Sequence, residues 1–368
     1  MNTQLAKLKK IAILLAVIST ASISATAYAD WSIKGLGTLG GTTSFASGIN
    51  DLGQVVGSSY TASGSRHAFI TGPNGTGMTD LGTLSGGESN ASGINDSGQV
   101  VGTSHTPSGF YRAFITGPNG IGMTDLGTLG GTESFASGIN NSGQVVGSSH
   151  AASGFTHAFI TGPNGTGMTD LGTLGAGDSN ATGINDSGQV IGTFYIEGNL
   201  FFHAFITGPN GIGMTDLGTL NGGYSFPKDI NDSGQVVGTS FLNDLFPPHA
   251  FITGPNGIDM TQLGTTLGSA NGINNAGEVV GGPSFFSHGK MIDLSVLAPV
   301  VAAGWTNLNA QSINNNGQIV GFGQHHGNTE AFLLSHIPAV PEPEIYLMLL
   351  GGLGLIGYLA RRRKESAI

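Results

Sequence analysis

The sequence predicts an all-β fold, a seven-bladed β-propeller closed by its own N-terminal strand. Three observations predict it: a repeat of about 45 residues, tight-turn signals bounding apolar runs in each repeat, and an uneven count of the repeated strands.

Anchored on Ile-Asn, the repeat places Asn50, Asn95, Asn140, Asn185, Asn231, Asn274 and Asn314 at spacings of 45, 45, 45, 46, 43 and 40. Helical repeats are excluded, because no window carries a 3.6 period and glycine, 64 of 368 residues, interrupts every one. Each unit reads as four short strands, in the second copy residues 91–95, 99–103, 113–116 and 123–128. Asn95-Asp96-Ser97-Gly98 fits a type I turn followed by a left-handed glycine. Gly117-Pro118-Asn119-Gly120 is a second turn, where proline presets φ and Asn or Gly accepts positive φ. Such tight connections make neighbouring strands antiparallel and argue against a parallel β-helix. Gln99-Val100-Val101 and Ala113-Phe114-Ile115 are not alternating patterns, so both faces of these strands need cover. A small sheet lying between two copies of itself supplies that cover.

The count of strands predicts closure. The Ile-Asn strand occurs seven times, and so does the strand carrying Phe69, Phe114, Phe159, Phe205, Phe251, Phe285 and Phe332. The strand that begins at Asp80, Asp125, Asp170 and Asp216, with variants at Gln262 and Asp293, occurs only six times. Its seventh copy is residues 34–41 (KGLGTLGG), ahead of the first unit. The N-terminal strand therefore completes blade seven and removes an exposed sheet edge.

The two ends stand apart from residues 30–336. Residues 1–29 carry Lys7, Lys9 and Lys10, a short apolar run and a small-residue stretch ending Ala27-Tyr28-Ala29. This is the pattern of a secretory signal peptide, with Ala27 and Ala29 marking the signal-peptidase site before Asp30. Residues 337–344 read as a linker carrying Pro341-Glu342-Pro343. Residues 345–360 are 16 uncharged residues followed by Arg361, Arg362, Arg363 and Lys364 in the tail 361–368. As a helix they span about 24 Å, slightly short of a ~30 Å hydrocarbon layer, so thinning or snorkelling flanks would complete a transmembrane helix. The basic cluster sets the tail in the cytoplasm and the body outside.

Composition narrows the chemistry. The chain has no cysteine, which excludes disulfides, thiol catalysis and thiolate metal sites. Residues 30–340 hold five Lys plus Arg against 19 Asp plus Glu, a formal net of −14, so nucleic acid is not an expected partner. Gly35-x-Gly37-x-x-Gly40 copies a dinucleotide fingerprint in letters only, since a repeated strand surrounds it; no cofactor is expected. Asp96 and its equivalents are oxygen donors, yet Asn141, Asn275 and Asn315 replace them and no bidentate glutamate follows, so the turns read as scaffold. His67, His157, His203 and His249 recur at one strand position and read as rim or packing residues. Candidate ligand-contact residues lie where copies differ: Tyr195, Phe241 and Trp305, each an aromatic able to stack on a sugar ring or to fill a gap between blades.

Two resemblances follow from these motifs. The run His-Ala-Phe, Asp-Leu-Gly-Thr-Leu-Gly-Gly and Gly-Ile-Asn-Asp-Ser-Gly-Gln-Val-Val-Gly resembles the HAF family of bacterial extracellular repeat proteins over residues 31–336. The tail, with Val340-Pro341-Glu342-Pro343, an apolar span and Arg361 to Lys364, resembles a PEP-CTERM sorting signal. That resemblance implies a Gram-negative export system, processing by exosortase near Pro341-Glu342-Pro343, and a link to exopolysaccharide and biofilm matrix. The repeat family supplies no catalytic residues. The expectation is a non-enzymatic protein, anchored in the inner membrane before processing and then placed at the cell surface or outside, where it binds glycan or protein. The alternatives are a polysaccharide-acting enzyme with a carboxylate pair on a propeller face, and a single-pass inner-membrane protein that is never processed.

Overall fold

Seven four-stranded antiparallel sheets follow one another in chain order. The computed structural model describes residues 30–337, apart from 176, 197–200, 221, 242–247 and 265–267. Among the described residues no helix is long and apolar enough to cross a membrane. The segment 1–29 expected to be a signal peptide, the Pro341-Glu342-Pro343 linker, the apolar run 345–360 and the basic tail lie outside the described residues. The chain divides into two units. One is the propeller, Ser32–Ser335; the other combines Met1–Trp31 with His336–Ile368, and in it the rings of Trp31 and His336 lie 3.5 Å apart.

Blade 2 shows the pattern, with strands Ser89–Ile94, Val100–His105, Tyr111–Thr116 and Met123–Asp125 paired in that order from first to fourth. All four match the sequence expectation to within about two residues at most ends. Gly98 takes φ 77° in the first turn, and Asn119 and Gly120 take φ 55° and 74° in the second, as the turn chemistry requires. The first strand bulges between Ala91 and Gly93, which bends it as bulges do.

Hydrophobic cores lie between sheets, not within them. Val56, Ala68 and Ile70 of blade 1 pack with Ala91, Val100 and Phe114 of blade 2, and the same set recurs from blade 2 to 3 as Val101, Ala113, Ile115 with Ala136, Val145, Phe159. This is why the apolar runs do not alternate: both faces of each sheet are interior. Leu81 Cδ2 sits where a Cβ on Gly120 of the next blade would fall, and Leu126 bears the same relation to Gly165, Leu171 to Gly211 and Leu217 to Gly257. These glycines are thus doubly required, by positive φ and by the neighbouring leucine.

The last sheet has the order predicted by the strand count. Strands Thr306–Ile313, Ile319–His325 and Asn328–Ile337 are followed in space by Asp30–Gly35. The paired strand begins a few residues earlier than the predicted 34–41, but the register is that of every other blade. Leu36 N donates to Ala331 O at 2.9 Å, as Leu126 N does to Ala113 O and Leu263 N to Ala250 O. Leu36 is 8% exposed, packs with Val320, Ala331 and Leu333 and with Val55 and Phe69 of blade 1, and its Cδ2 occupies the space beside Gly75.

Candidate functional site

The inner strands surround an axial channel of about 280 Å³, whose wall repeats the Ser-Gly-Ile-Asn-Asp segment. Within each turn the asparagine folds onto its own hairpin: Asn95 Oδ1 accepts Gln99 N at 3.0 Å and Asn95 Nδ2 donates to Gln99 Oε1 at 2.9 Å. The same Nδ2 donates to the next blade, Asn95 to Asn140 O. Repeated from Asn50 round to Asn314, which donates to Asn50 O, this forms a closed ring of seven bonds of 2.9–3.1 Å. A second ring lies one residue further on. Asp51 N donates to Asp96 Oδ1, and the series runs through Asn141, Asp186, Asp232 and Asn275 to Asn315 N, which donates to Asp51 Oδ1, again at 2.9–3.1 Å. Asp and Asn alternate freely because the required group is an acceptor oxygen, which both side chains carry. Every oxygen-rich turn is therefore a tie between blades. No group of three or more His, Asp or Glu arranged to hold a metal ion occurs among the described residues.

A third tie links Gln99 Nε2 to Asn164 Oδ1 at 3.2 Å, and Gln54, Gln144, Gln189 and Gln318 reach the next blade's Pro-Asn-Gly turn likewise. Blades 6 and 7 have no such turn, so the seams from blade 5 to 6 and from 6 to 7 lack the bond. Two of the departures in the channel wall lie at those seams. Asp229 replaces the glycine of blade 5, and its carboxylate accepts Ile230 N and, across the seam, Ile273 N, both at 2.9 Å. Asn271 replaces the serine of blade 6 and donates to Ala310 O of blade 7 at 2.9 Å. Burial pushes the Asp229 carboxyl up from 3.8 to about 6, against the opposing pull of the amides of Ile273 and Ile230.

The recurring histidines are paired inside their blades. His67 Nδ1 meets Asp80 at 2.8 Å, His157 meets Asp170 at 2.8 Å, His203 meets Asp216 at 3.0 Å, and His249 meets Gln262 at 3.0 Å. In blade 2 the position holds Arg112, whose Nε is buried without a partner. In blade 7 the pair is inverted. Glu330 stands at the histidine position and Gly35 at the aspartate position; Glu330 Oε1 accepts Gly37 N at 3.0 Å, as Asp80 Oδ1 accepts Gly82 N at 2.7 Å. A Cβ on Gly35 would lie 2.5 Å from Glu330 Oε1, so the glycine makes room for the relocated carboxylate. His325 Nδ1 supplies the imidazole at 2.6 Å from Glu330 Oε2.

The three aromatics expected to contact ligand have separate fates. Trp305 is 3% exposed, stacked on His325 with centroids 4.3 Å apart and edge-on to Phe332 at 5.8 Å. It fills blade 7 and is closed to a ligand, a correction to the sequence reading. The helix Ala298–Ala302 precedes it, and Trp305 N donates to Val300 O, so the inserted segment folds the ring inward. Tyr195 and Phe241 are half-buried and belong to an aromatic cluster of blades 4 and 5, where Tyr195 meets Phe202 at 5.6 Å and Phe241 meets Phe226 at 5.9 Å. Sequence reasoning passed over the exposed aromatics of the regular copies, Tyr60, Phe110, Tyr111 and Phe155, which lie on hairpins joining second and third strands. Comparing copies position by position would have found them, since blade 1 has Ser65 where blades 2 and 3 have Phe110 and Phe155.

Comparison with known proteins bears on the C-terminal segment and on the fold. Residues 339–364 match the PEP-CTERM protein-sorting motif, which marks exported proteins processed by exosortase. No curated protein matches the chain. Among solved structures, the chain is similar to oligogalacturonate lyase in complex with manganese, at 14% identity and TM-score 0.51 over 84% of this chain and 93% of that one. It is similar to the β-propeller domain of the Trilobed protease from Pyrococcus furiosus, described as having an open velcro topology, at 8% identity and TM-score 0.50 over 82% and 100%. Putative TolB from Agrobacterium tumefaciens matches at 13% identity and TM-score 0.42 over 59% and 79%. At these identities the likeness concerns the fold alone.

Proposed function

We propose that the chain is a non-catalytic propeller of the cell surface or extracellular matrix, sorted by exosortase and binding glycan or protein there. The observation that carries the reading is a closed propeller whose C-terminal residues match a sorting motif. The HAF-type repeat fits the same setting. A non-catalytic role is supported by the use of the axial carboxylates: Asp51, Asp96, Asp186 and Asp232 each accept a backbone amide of a neighbouring blade. A hydrolytic pair needs one carboxyl free to exchange a proton with substrate. In the parent cell the full chain is expected first in the inner membrane, held by its C-terminal segment, and then in the outer or extracellular fraction. Intact-mass measurement of that form should give an N-terminus at Asp30 and a C-terminus near Pro341-Glu342-Pro343. A chain that stays in the inner membrane with residues 345–368 attached would refute the proposal and leave a single-pass membrane protein.

A further inference from the structure

We infer that the hairpins joining the second and third strands of blades 2 and 3 form a ledge for a neutral polysaccharide, with Phe110 and Phe155 as stacking platforms and Glu133 and Asp178 as hydroxyl acceptors. This rests on the surface-binding role proposed above and names its ligand class and location.

The two phenylalanines occupy one structural position. Phe110 O accepts Thr106 N at 3.0 Å and Phe155 O accepts Ala151 N at 2.8 Å, and in blade 1 the same bond is made by Ser65 O to Thr61 N at 2.8 Å. The hairpin therefore folds equally well around serine. Phe110 and Phe155 are 41% and 50% exposed, which the fold does not require. In blade 4 the position holds Phe201, turned edge-on to Tyr224 at 4.8 Å, so the ledge ends there.

Each platform has a carboxylate beside it. The residue after Phe110 donates to blade 3, Tyr111 N to Glu133 Oε1 at 3.2 Å, and the residue after Phe155 donates to blade 4, Thr156 N to Asp178 Oδ1 at 2.8 Å. One amide leaves each carboxylate with further lone pairs. An apolar ring next to a free acceptor suits a sugar, whose C–H face stacks while its hydroxyls donate. Two such pairs in adjacent blades suit a ligand that itself repeats.

Charge selects the class. Residues 106–109 and 151–154 are uncharged, and the carboxylates repel acidic polymers, as does the net −14 of residues 30–340. Arg112, two residues from Phe110, is half-buried and its Nε is enclosed.

The test uses the full-length protein in native affinity electrophoresis through hydroxyethylcellulose, laminarin or galactomannan, with alginate as the acidic polymer. Retardation by at least one neutral glycan and none by alginate is expected. Phe110→Ser and Phe155→Ser should each weaken binding about tenfold, the double variant should abolish it, and thermal melting should stay unchanged because Ser65 already serves in blade 1. Retardation by alginate, by none of the glycans, or equally for parent and double variant overturns the inference. So does a double variant whose sedimentation alone changes, which would make the ledge a protein contact. Export and processing are read separately by fractionation, so failure of the ledge leaves the sorting proposal standing.

Discussion

Closure by the N-terminal strand can be tested with one side chain. Leu36 is 8% exposed and lies among Ala331 and Leu333 of blade 7 and Val55 and Phe69 of blade 1. Leu36→Ala removes three buried carbons and leaves a void against Gly75, where the backbone cannot collapse without breaking the turn at Asn74. Such truncations cost about 2–4 kcal/mol. With an m-value of ~3 kcal/mol/M this moves the urea midpoint down by roughly 1 M at unchanged slope. Leu52→Ala, at a residue 55% exposed on a turn, is the control and should stay within about 0.5 kcal/mol. If Leu36→Ala unfolds with the same midpoint as the control, the first strand is not part of the cooperative unit. A separate early transition seen only in Leu36→Ala would refute closure in the same way.

Three further outcomes are expected. Asp229 has its carboxyl raised above the unfolded value of 3.8, so the fold favours the protonated form; its contribution is fully present below about pH 4 and falls by roughly 3 kcal/mol as pH rises through 6. Asp229→Asn should therefore flatten this part of the stability profile between pH 4 and 7, and a parent-to-variant difference independent of pH would refute the assignment. Asn314→Ala removes a buried amide that bonds to Asn50 O and Gln318 Oε1 and accepts Gln318 N; a loss of about 2–3 kcal/mol in urea unfolding is expected, and parental stability would show that the ring does not hold blades 7 and 1. Gly35→Asp should destabilise by about 2 kcal/mol or more through collision and repulsion with Glu330, and adding Glu330→His should recover most of it by rebuilding the His67–Asp80 arrangement. A double variant no better than Gly35→Asp alone would mean that the positions are not exchanged partners.

Periodicity and turn chemistry made blade number, strand boundaries and closure legible, because each depends on residues near in sequence or on a count. The ring ties were not legible. Asn95 looks like a local turn residue, and half of what it does is local; its second bond goes to Asn140 O, one repeat away, which no local pattern marks. Trp305 was misjudged because divergence from the repeat was equated with exposure, whereas the inserted helix brings the ring onto His325. Phe110 and Phe155 were overlooked for the converse reason: they sit in regular copies, where resemblance to neighbours concealed a difference from Ser65.

The axial bonds also explain why the irregular blades are tolerated. Each tie runs from one blade to the next in a single direction, so an open row of blades would leave Asn314 Nδ2 and Asn315 N at its end without the partners Asn50 O and Asp51 Oδ1. Closure satisfies both, and of the two the bond of buried Asn314 is the stronger tie, because Asn315 is exposed and water can replace its partner. Where the Pro-Asn-Gly turn is lost, Asp229 and Asn271 restore a bond across the weakened seam. Asp229 and Asn271 in the channel wall therefore follow from the mechanics of the ring, and a surface evolved for recognition is to be sought where variation does nothing for the seams, at the hairpins that carry Phe110 and Phe155.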